Sequence, residues 1–233
     1  MKKFELTSEF IIVLGIKLFR IRALVEFGYV KAGDLGGYVE KEENLAQSGN
    51  AWVSGDAQVS GDAQVSGNAW VYGDASVSGD AQVSGDAQVS GNAWVFGDAQ
   101  VSGNAQVYGN AQVYGNVRVS GNAQVYGNAC VYGDALVSGD AQVSGDASVS
   151  GNAQVSGNAQ VSGNADYATV KGFGRLNRDT TFFRCKDGKI RVVCGCFFGD
   201  LEKFRAIVKR THGDGKLAKE YLSIADLMEM HFE

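Results

Sequence analysis

From residue 49 to residue 163 one pattern recurs every six positions: Gly, then Asn or Asp, then a small apolar residue, a variable one, a valine and a second variable one. Gly stands at 49, 55, 61 and every sixth place to 163, giving 20 hexads without an insertion or deletion. Val fills each equivalent place from Val53 to Val161, and Ala each place from Ala51 to Ala165 except Val117. In a unit such as Ala63-Gln64-Val65 the order apolar, polar, apolar is the period of a short strand, with Ala and Val inward and Gln outward. The Gly-Asn or Gly-Asp pair that follows accepts positive φ and turns the chain.

Strand and turn at a fixed six residues close naturally into a three-sided coil of 18 residues. Each strand then pairs with the one 18 positions on, and each coil buries three Val and three Ala. The hexads make six to seven coils, a rod roughly 30 Å long at about 4.8 Å per coil. The pattern of an aliphatic residue followed four places later by a small one, as in Val53 and Ala57 or Val59 and Ala63, resembles the left-handed parallel β-helix of hexapeptide-repeat proteins. That resemblance covers half the chain and implies a mainly β fold. The left hand comes from the resemblance alone, because parallel crossovers in general favour the right hand.

A coil touches only its neighbours, so both ends of such a rod need covers. The sequence divides accordingly into residues 1–48, N-terminal strands and a capping coil; 49–165, the hexapeptide β-helix; and 166–233, a C-terminal α+β module. In the first part, Lys2–Leu6 and Ile16–Leu24 read as short strands and Gly33–Gly37 as a turn. Gly37-Tyr38-Val39 and Asn44-Leu45 keep the hexad register in degraded form, with Val39 and Leu45 where Ala would stand. Gly33–Leu45 resembles the leading segment of an uncharacterised family of hexapeptide-repeat proteins from gut bacteria and their prophages, which also carry a C-terminal segment like this one. That resemblance brings no established activity.

The C-terminal part loses the six-residue period. Thr180–Cys185 and Lys189–Cys194 are β-rich runs joined across Asp187-Gly188, which predicts a hairpin with a two-residue turn. Gly199-Asp200 offers an N-cap, and Leu201, Phe204, Ile207 and Val208 form the apolar stripe of a helix ending near His212-Gly213. A second helix is expected from Lys216 to Met230, completing a small β-β-α-α module. Gly172-Phe173-Gly174 lacks the third glycine of a dinucleotide fingerprint and reads as a linker.

Charge changes the picture by region rather than in sum. Residues 1–48 carry seven basic and seven acidic side chains, 49–165 one Arg and nine Asp, and 166–233 thirteen basic against ten acidic. An acidic rod repels nucleic acid, so general nucleic-acid binding is not expected. The longest apolar run, Phe10 to Ile16, is far below the ~20 residues that span a bilayer and has no small-residue cleavage pattern after it. With four Cys in so long a chain, a reducing, cytoplasmic location without membrane attachment is the expectation.

Candidate chemistry is sparse. Hexapeptide enzymes are mostly acyltransferases, which use a His as general base, and carbonic anhydrases, which hold a metal on His ligands. The 20 hexads contain no His, and the protruding loop that completes an acyltransferase site is missing, so no catalytic residue is assigned and no cofactor is expected. Cys185, Cys194 and Cys196 with His212 could be written as a zinc site. A two-residue turn at Asp187-Gly188 would instead set Phe183, Cys185, Ile190, Val192, Cys194 and Cys196 on one face under the helices, where Cys is a small hydrophobe, and no metal site is assigned. Asp62, Asp80 and Asp98, 18 apart, should stack as an acidic ladder along one corner, close enough to attract a cation, although turn preference beside Gly is the simpler account.

The outward positions say more. In the 18-residue frame one corner column is all Ser from Ser66 to Ser156, while the other two collect aromatics. Trp94, Phe96, Tyr108, Tyr114, Tyr126 and Tyr132 gather on one flat and its two corners, and another flat begins with Trp52 and Trp70 and continues as Gln88, Gln106, Gln124 and Gln142. A rimmed aromatic patch marks an interface, although aromatics also suit β-structure and stack along a ladder. The expected function is a non-catalytic, rigid scaffold for binding or homo-oligomeric assembly. Its narrower form, resting on the resemblance, is a phage-encoded inhibitor that binds a host protein or sequesters a small signalling molecule. The competing reading is an enzyme whose C-terminal module gathers Arg184, Lys189, Arg191 and His212 round an anionic substrate.

Overall fold

A computed structural model describes residues 2–174 and 177–233. Its centre is a parallel β-solenoid of about seven turns whose short strands pair at a spacing of 18, as in Gln88 with Gln106 and Val89 with Val107. Three ladders run the length of the stack. Flat A holds the strands that begin at Gln58, Ser76, Trp94, Gln112, Cys130 and Ser148; flat B those from Gln64 to Gln154; and flat C those from Trp52 to Gln160. Every repeat Val from Val53 to Val161 is fully buried, and the repeat Ala residues from Ala51 to Ala159 are equally inaccessible. The small Ala keeps the three walls close enough for Val side chains from all three to fill the axis without voids.

The turns explain the invariant period. Gly91 sits at φ +66°, and a Cβ there would lie 3.0 Å from the Gly109 nitrogen of the next coil. Backbone stacks on backbone at each corner, so a side chain is excluded twice, by conformation and by space. Where the residue after Gly is Asn, it binds down the stack: Asn92 Nδ2 donates to Asn110 Oδ1 at 3.2 Å, Asn110 to Asn128 at 3.1 Å, and Asn128 to Asp146 at 3.0 Å. Asp has no donor to pass on, so an Asp ends each run.

The N-terminal part extends flat A. Phe4–Val13 and Ile16–Ala23 form an antiparallel hairpin, and Leu35–Val39 joins it to the solenoid by pairing parallel with the Gln58–Val59 strand. This corrects two expectations. The first strand runs on to Val13 instead of stopping at Leu6, because Leu14 and Gly15, at φ 49° and 84°, make a two-residue turn that carries the apolar run Phe10–Ile16 into the hairpin tip. Residues 35–37 lie in a strand, where a Cβ on Gly37 would come within 2.6 Å of the Ala57 carbonyl oxygen.

The first coil is also set differently from the hexad reading. Val39 pairs with Val59 and Leu45 with Val65, a spacing of 20, so both residues stand in the Val places and not the Ala places. Two extra residues before Trp52 absorb the difference.

The C-terminal part is a four-stranded antiparallel sheet, Tyr167–Phe173, Arg178–Arg184, Ile190–Cys194 and Phe197–Asp200, followed by helices α1 (Leu201–His212) and α2 (Lys216–Phe232). The expected two strands are therefore four, and Gly172-Phe173 belongs to a strand, not a linker. The Asp200 side chain accepts from the Lys203 N–H at 2.8 Å and caps α1, and the helix ends at Gly213.

The hairpin register differs by one residue. Cys185 pairs with Lys189 across Lys186-Asp187-Gly188, with the Gly188 N–H on the Cys185 carbonyl at 2.9 Å and Gly188 at φ +73°. A three-residue loop of this kind moves every side chain of one strand to the opposite face relative to the two-residue turn. Phe182, Val192 and the half-buried Cys194 face the helices, whereas Phe183, Cys185 and Val193 face the last solenoid coil. The sheet is thus covered on both sides, and the expected common face of Phe183, Cys185, Ile190, Val192, Cys194 and Cys196 is split.

Candidate functional site

Flat A and its two edges form the most differentiated outer surface of the solenoid. Phe96, Tyr114 and Tyr132 follow their strands round one corner and stack, with ring centroids 4.8 and 5.2 Å apart and planes within 6°. At the opposite corner Tyr108 and Tyr126 stack at 4.9 Å and 1°. The 18-residue spacing brings all six expected residues to this side, with Trp94 on the flat between the two corners. The five corner rings are half-buried against their ladder neighbours, so the stacking account holds for them, while Trp94 is 55% exposed.

Local chemistry sets the phenols apart. Burial and the neighbouring Tyr126 raise the Tyr108 phenol above its ordinary range, and burial raises Tyr114. The Tyr132 phenol is lowered by hydrogen bonding to Ser148 and Ser150 of the next coil. The raised phenols belong to rings partly withdrawn from water, and the lowered one to a hydroxyl held by the next coil. Beside the Tyr108 corner the turn residues are Asn92, Asn110 and Asn128, whereas Asp56 and Asp74 precede them and Asp146 follows. Charge is therefore withdrawn from that edge where the aromatics lie.

The N-terminal hairpin adds what the repeat pattern could not show. Its tip reaches over flat A, and Val13, Leu14, Ile16 and Leu18 face Trp94 and Phe96 across a cleft of about 500 Å³. Leu14 at the tip is 98% exposed, and Phe10 and Ile12 are exposed as well. The signal was present as the apolar run Phe10–Ile16, but nothing in it said where the hairpin would lie.

Flat C differs from its expected outward face. Trp52 is buried beneath Phe27 of the N-terminal segment, ring centroids 5.4 Å apart, and Trp70 meets Tyr29 edge-on at 6.4 Å. Farther along, Gln142 Nε2 donates to Gln124 Oε1 at 3.2 Å, and Gln124 to Gln106 at 3.4 Å.

The C-terminal candidates are not gathered. Arg184 donates to the Phe232 carbonyl at 2.6 Å and lies 3.4 Å from Asp166, on the helix side of the sheet. Arg191 belongs to the opposite face and pairs with Asp187 at 2.6 Å, Lys189 projects from the exposed loop, and His212 stacks on Tyr221. Cys185 is likewise separated from Cys194, and burial pushes its thiol up to about 11. The zinc set of Cys185, Cys194, Cys196 and His212 is not assembled, and the described residues contain no cluster of three or more metal-binding side chains. Asp62 is drawn to Lys41 at 2.5 Å, away from a simple acidic ladder with Asp80 and Asp98.

A family model described as the YdcK beta solenoid repeat matches residues 63–79, 81–97, 87–103, 111–127, 123–139 and 141–157. Each match begins on an inward Ala and ends on a turn Gly, one residue short of a full coil. The chain is a β-solenoid repeat protein. No curated protein matches it. The similarity is confined to the solenoid and reaches neither the N-terminal hairpin nor the C-terminal sheet and helices. No helix among the described residues is long and apolar enough to cross a membrane.

Proposed function

We propose that this solenoid is a non-catalytic scaffold that assembles with copies of itself through flat A. The observation that carries the reading is the coincidence, on one side, of ordered aromatic columns, an exposed Trp94 and an edge whose middle coils carry Asn92, Asn110 and Asn128 in place of Asp. Interfaces deplete charge at their centre and enrich aromatics, and rings already held by stacking lose little freedom on association. The hairpin tip, with Leu14 and Ile16 exposed beside Trp94, enlarges the same apolar surface. A narrower form, in which the assembled scaffold acts as a phage-encoded inhibitor of a host protein or holds a small signalling molecule, draws on the resemblance to prophage hexapeptide proteins. The reading places the assembly in the cytoplasm. An enzyme working on an anion in the C-terminal module has less support, because Arg184 and Arg191 sit on opposite faces and each already has an acidic partner.

The test replaces Trp94, Tyr114 and Tyr132 by Ser, the residue their columns hold elsewhere, so that the solenoid stays folded. Light scattering should show the parent as an oligomer and the triple variant as a monomer. A monomeric parent, or a variant that assembles like it, refutes the association surface.

A further inference from the structure

On flat C three aromatic side chains converge on a cleft of about 510 Å³, within the size range of small-molecule sites; it shares with the association surface only the corner column that holds Tyr72 in the early coils and Tyr108 and Tyr126 farther along. Trp70 forms its floor, Tyr72 its edge at one corner and Tyr29 its far wall. At the other corner Asp86 accepts from Asn68 Nδ2 at 2.9 Å through one carboxylate oxygen, and Tyr72 donates to Gln88 at 3.4 Å.

Tyr29 is 93% exposed, yet its backbone is firmly held. Phe27 and Val30 exchange both backbone hydrogen bonds, at 3.0 and 2.9 Å, around the two-residue turn Gly28-Tyr29, with Gly28 at φ +52°. Phe27 in turn is packed on the buried Trp52. An aromatic side chain presented to solvent on so tight a turn, edge-on to a second ring 6.4 Å away, contributes nothing to the core.

We infer that this cleft binds an organic cation carrying a methylated ammonium group. The faces of Trp and Tyr rings attract cations, most strongly weakly hydrated ones, whose transfer from water costs least. The field favours the same sign: the hexads hold nine Asp and a single cation, Arg118, which lies on flat B two coils below Gln82. An anion would meet Asp86 at the cleft's edge, and a compact primary ammonium would lose its hydration shell to rings that cannot replace it. Asp86 supplies the counter-charge at the cleft's edge.

The experiment follows the indole N–H signals of Trp52, Trp70 and Trp94 by NMR in the full chain during titration with choline and, separately, with its neutral isostere 3,3-dimethyl-1-butanol. Choline should shift the Trp70 signal saturably, and the isostere should bind about tenfold more weakly or less. Trp70→Gln places at this position the residue the column holds at Gln88, so the fold is kept, and binding should be lost. Asp86→Asn, also a residue the repeat uses, should weaken binding severalfold and reduce its salt dependence. Equal binding of the isostere, a Trp70 response to methyl glucoside in place of choline, or no saturable response to choline overturns the inference.

Discussion

The two ends of the solenoid face one problem and solve it with opposite chemistry. At the N-terminal end the first coils leave carbonyl groups without a preceding strand, and donors meet them. The buried Asn44 gives its amide hydrogens to the Gly61 and Ala63 carbonyls at 3.0 and 2.9 Å, and Lys3 Nζ reaches the Ala51 carbonyl at 2.8 Å. At the C-terminal end N–H groups are left over, and acceptors meet them. The Ser148 N–H goes to Asn164 Oδ1 at 2.8 Å and the Gln154 N–H to Thr181 Oγ1 at 3.0 Å, although the Tyr167 hydroxyl donates to the Ser148 carbonyl at 2.6 Å. The apolar ends are covered differently too. Leu45 and Val39 continue the stack at one end, whereas Phe183, Cys185 and Val193 lay a sheet across the other. A parallel stack has a direction, and each cap matches the groups its end exposes.

The harshest way to break the comparison is to cut the stack between its caps. Val107→Asp buries a charge with no partner, at a cost of several kcal/mol, and should unfold the solenoid. Circular dichroism and limited proteolysis read this, and a folded, soluble variant would overturn the Val-lined axis.

Removing residues 166–233 should leave the N-terminal cap in place while baring the last coil, so that truncated chains associate end to end. Sedimentation velocity measures the outcome. A truncated chain with the parent's oligomeric state would show that the C-terminal sheet does not act as a cover.

Single caps sharpen the contrast. Asn44→Leu strands a buried and a half-buried carbonyl and should cost about 3 kcal/mol, while Thr181→Val strands one N–H and should cost about 1–2 kcal/mol. Urea unfolding of the two variants compares them, and an equal or reversed order would mean that side-chain packing, not hydrogen-bond satisfaction, dominates the caps.

The smallest effect is specific to the N-terminal end. Burial lowers the Lys3 amine from its ordinary 10.5 to about 8. Between those values the unfolded chain holds a proton that the folded chain has released, so the Lys3 contribution to stability rises with pH across that window. The stability difference between the parent and Lys3→Met should therefore shift in the parent's favour from pH 8 to 10.5, as measured by unfolding at each pH. A difference independent of pH would place Lys3 in water.

The sequence alone determined the solenoid because its information is periodic. Once Gly91 and its equivalents fix a six-residue step and three steps close a coil, every inward Val and every outward column follows from counting, and Trp94, Phe96, Tyr114 and Tyr132 fall on one side without further knowledge. Outside the repeat the same reasoning lost its footing. The turn at Asp187-Gly188 could take two residues or three, and local sequence allows both; packing of Phe183, Cys185 and Val193 on the last coil fits only the longer one. The tip at Leu14 and the turn that presents Tyr29 were equally hidden, since both lie in the part of the chain that has no period and their positions depend on distant solenoid residues, Trp94 and Phe96 for the tip and Trp70 for the turn. Tertiary structure decided wherever the register was set by contact between unlike segments, because burial against a distant surface outweighs the small local differences between turns.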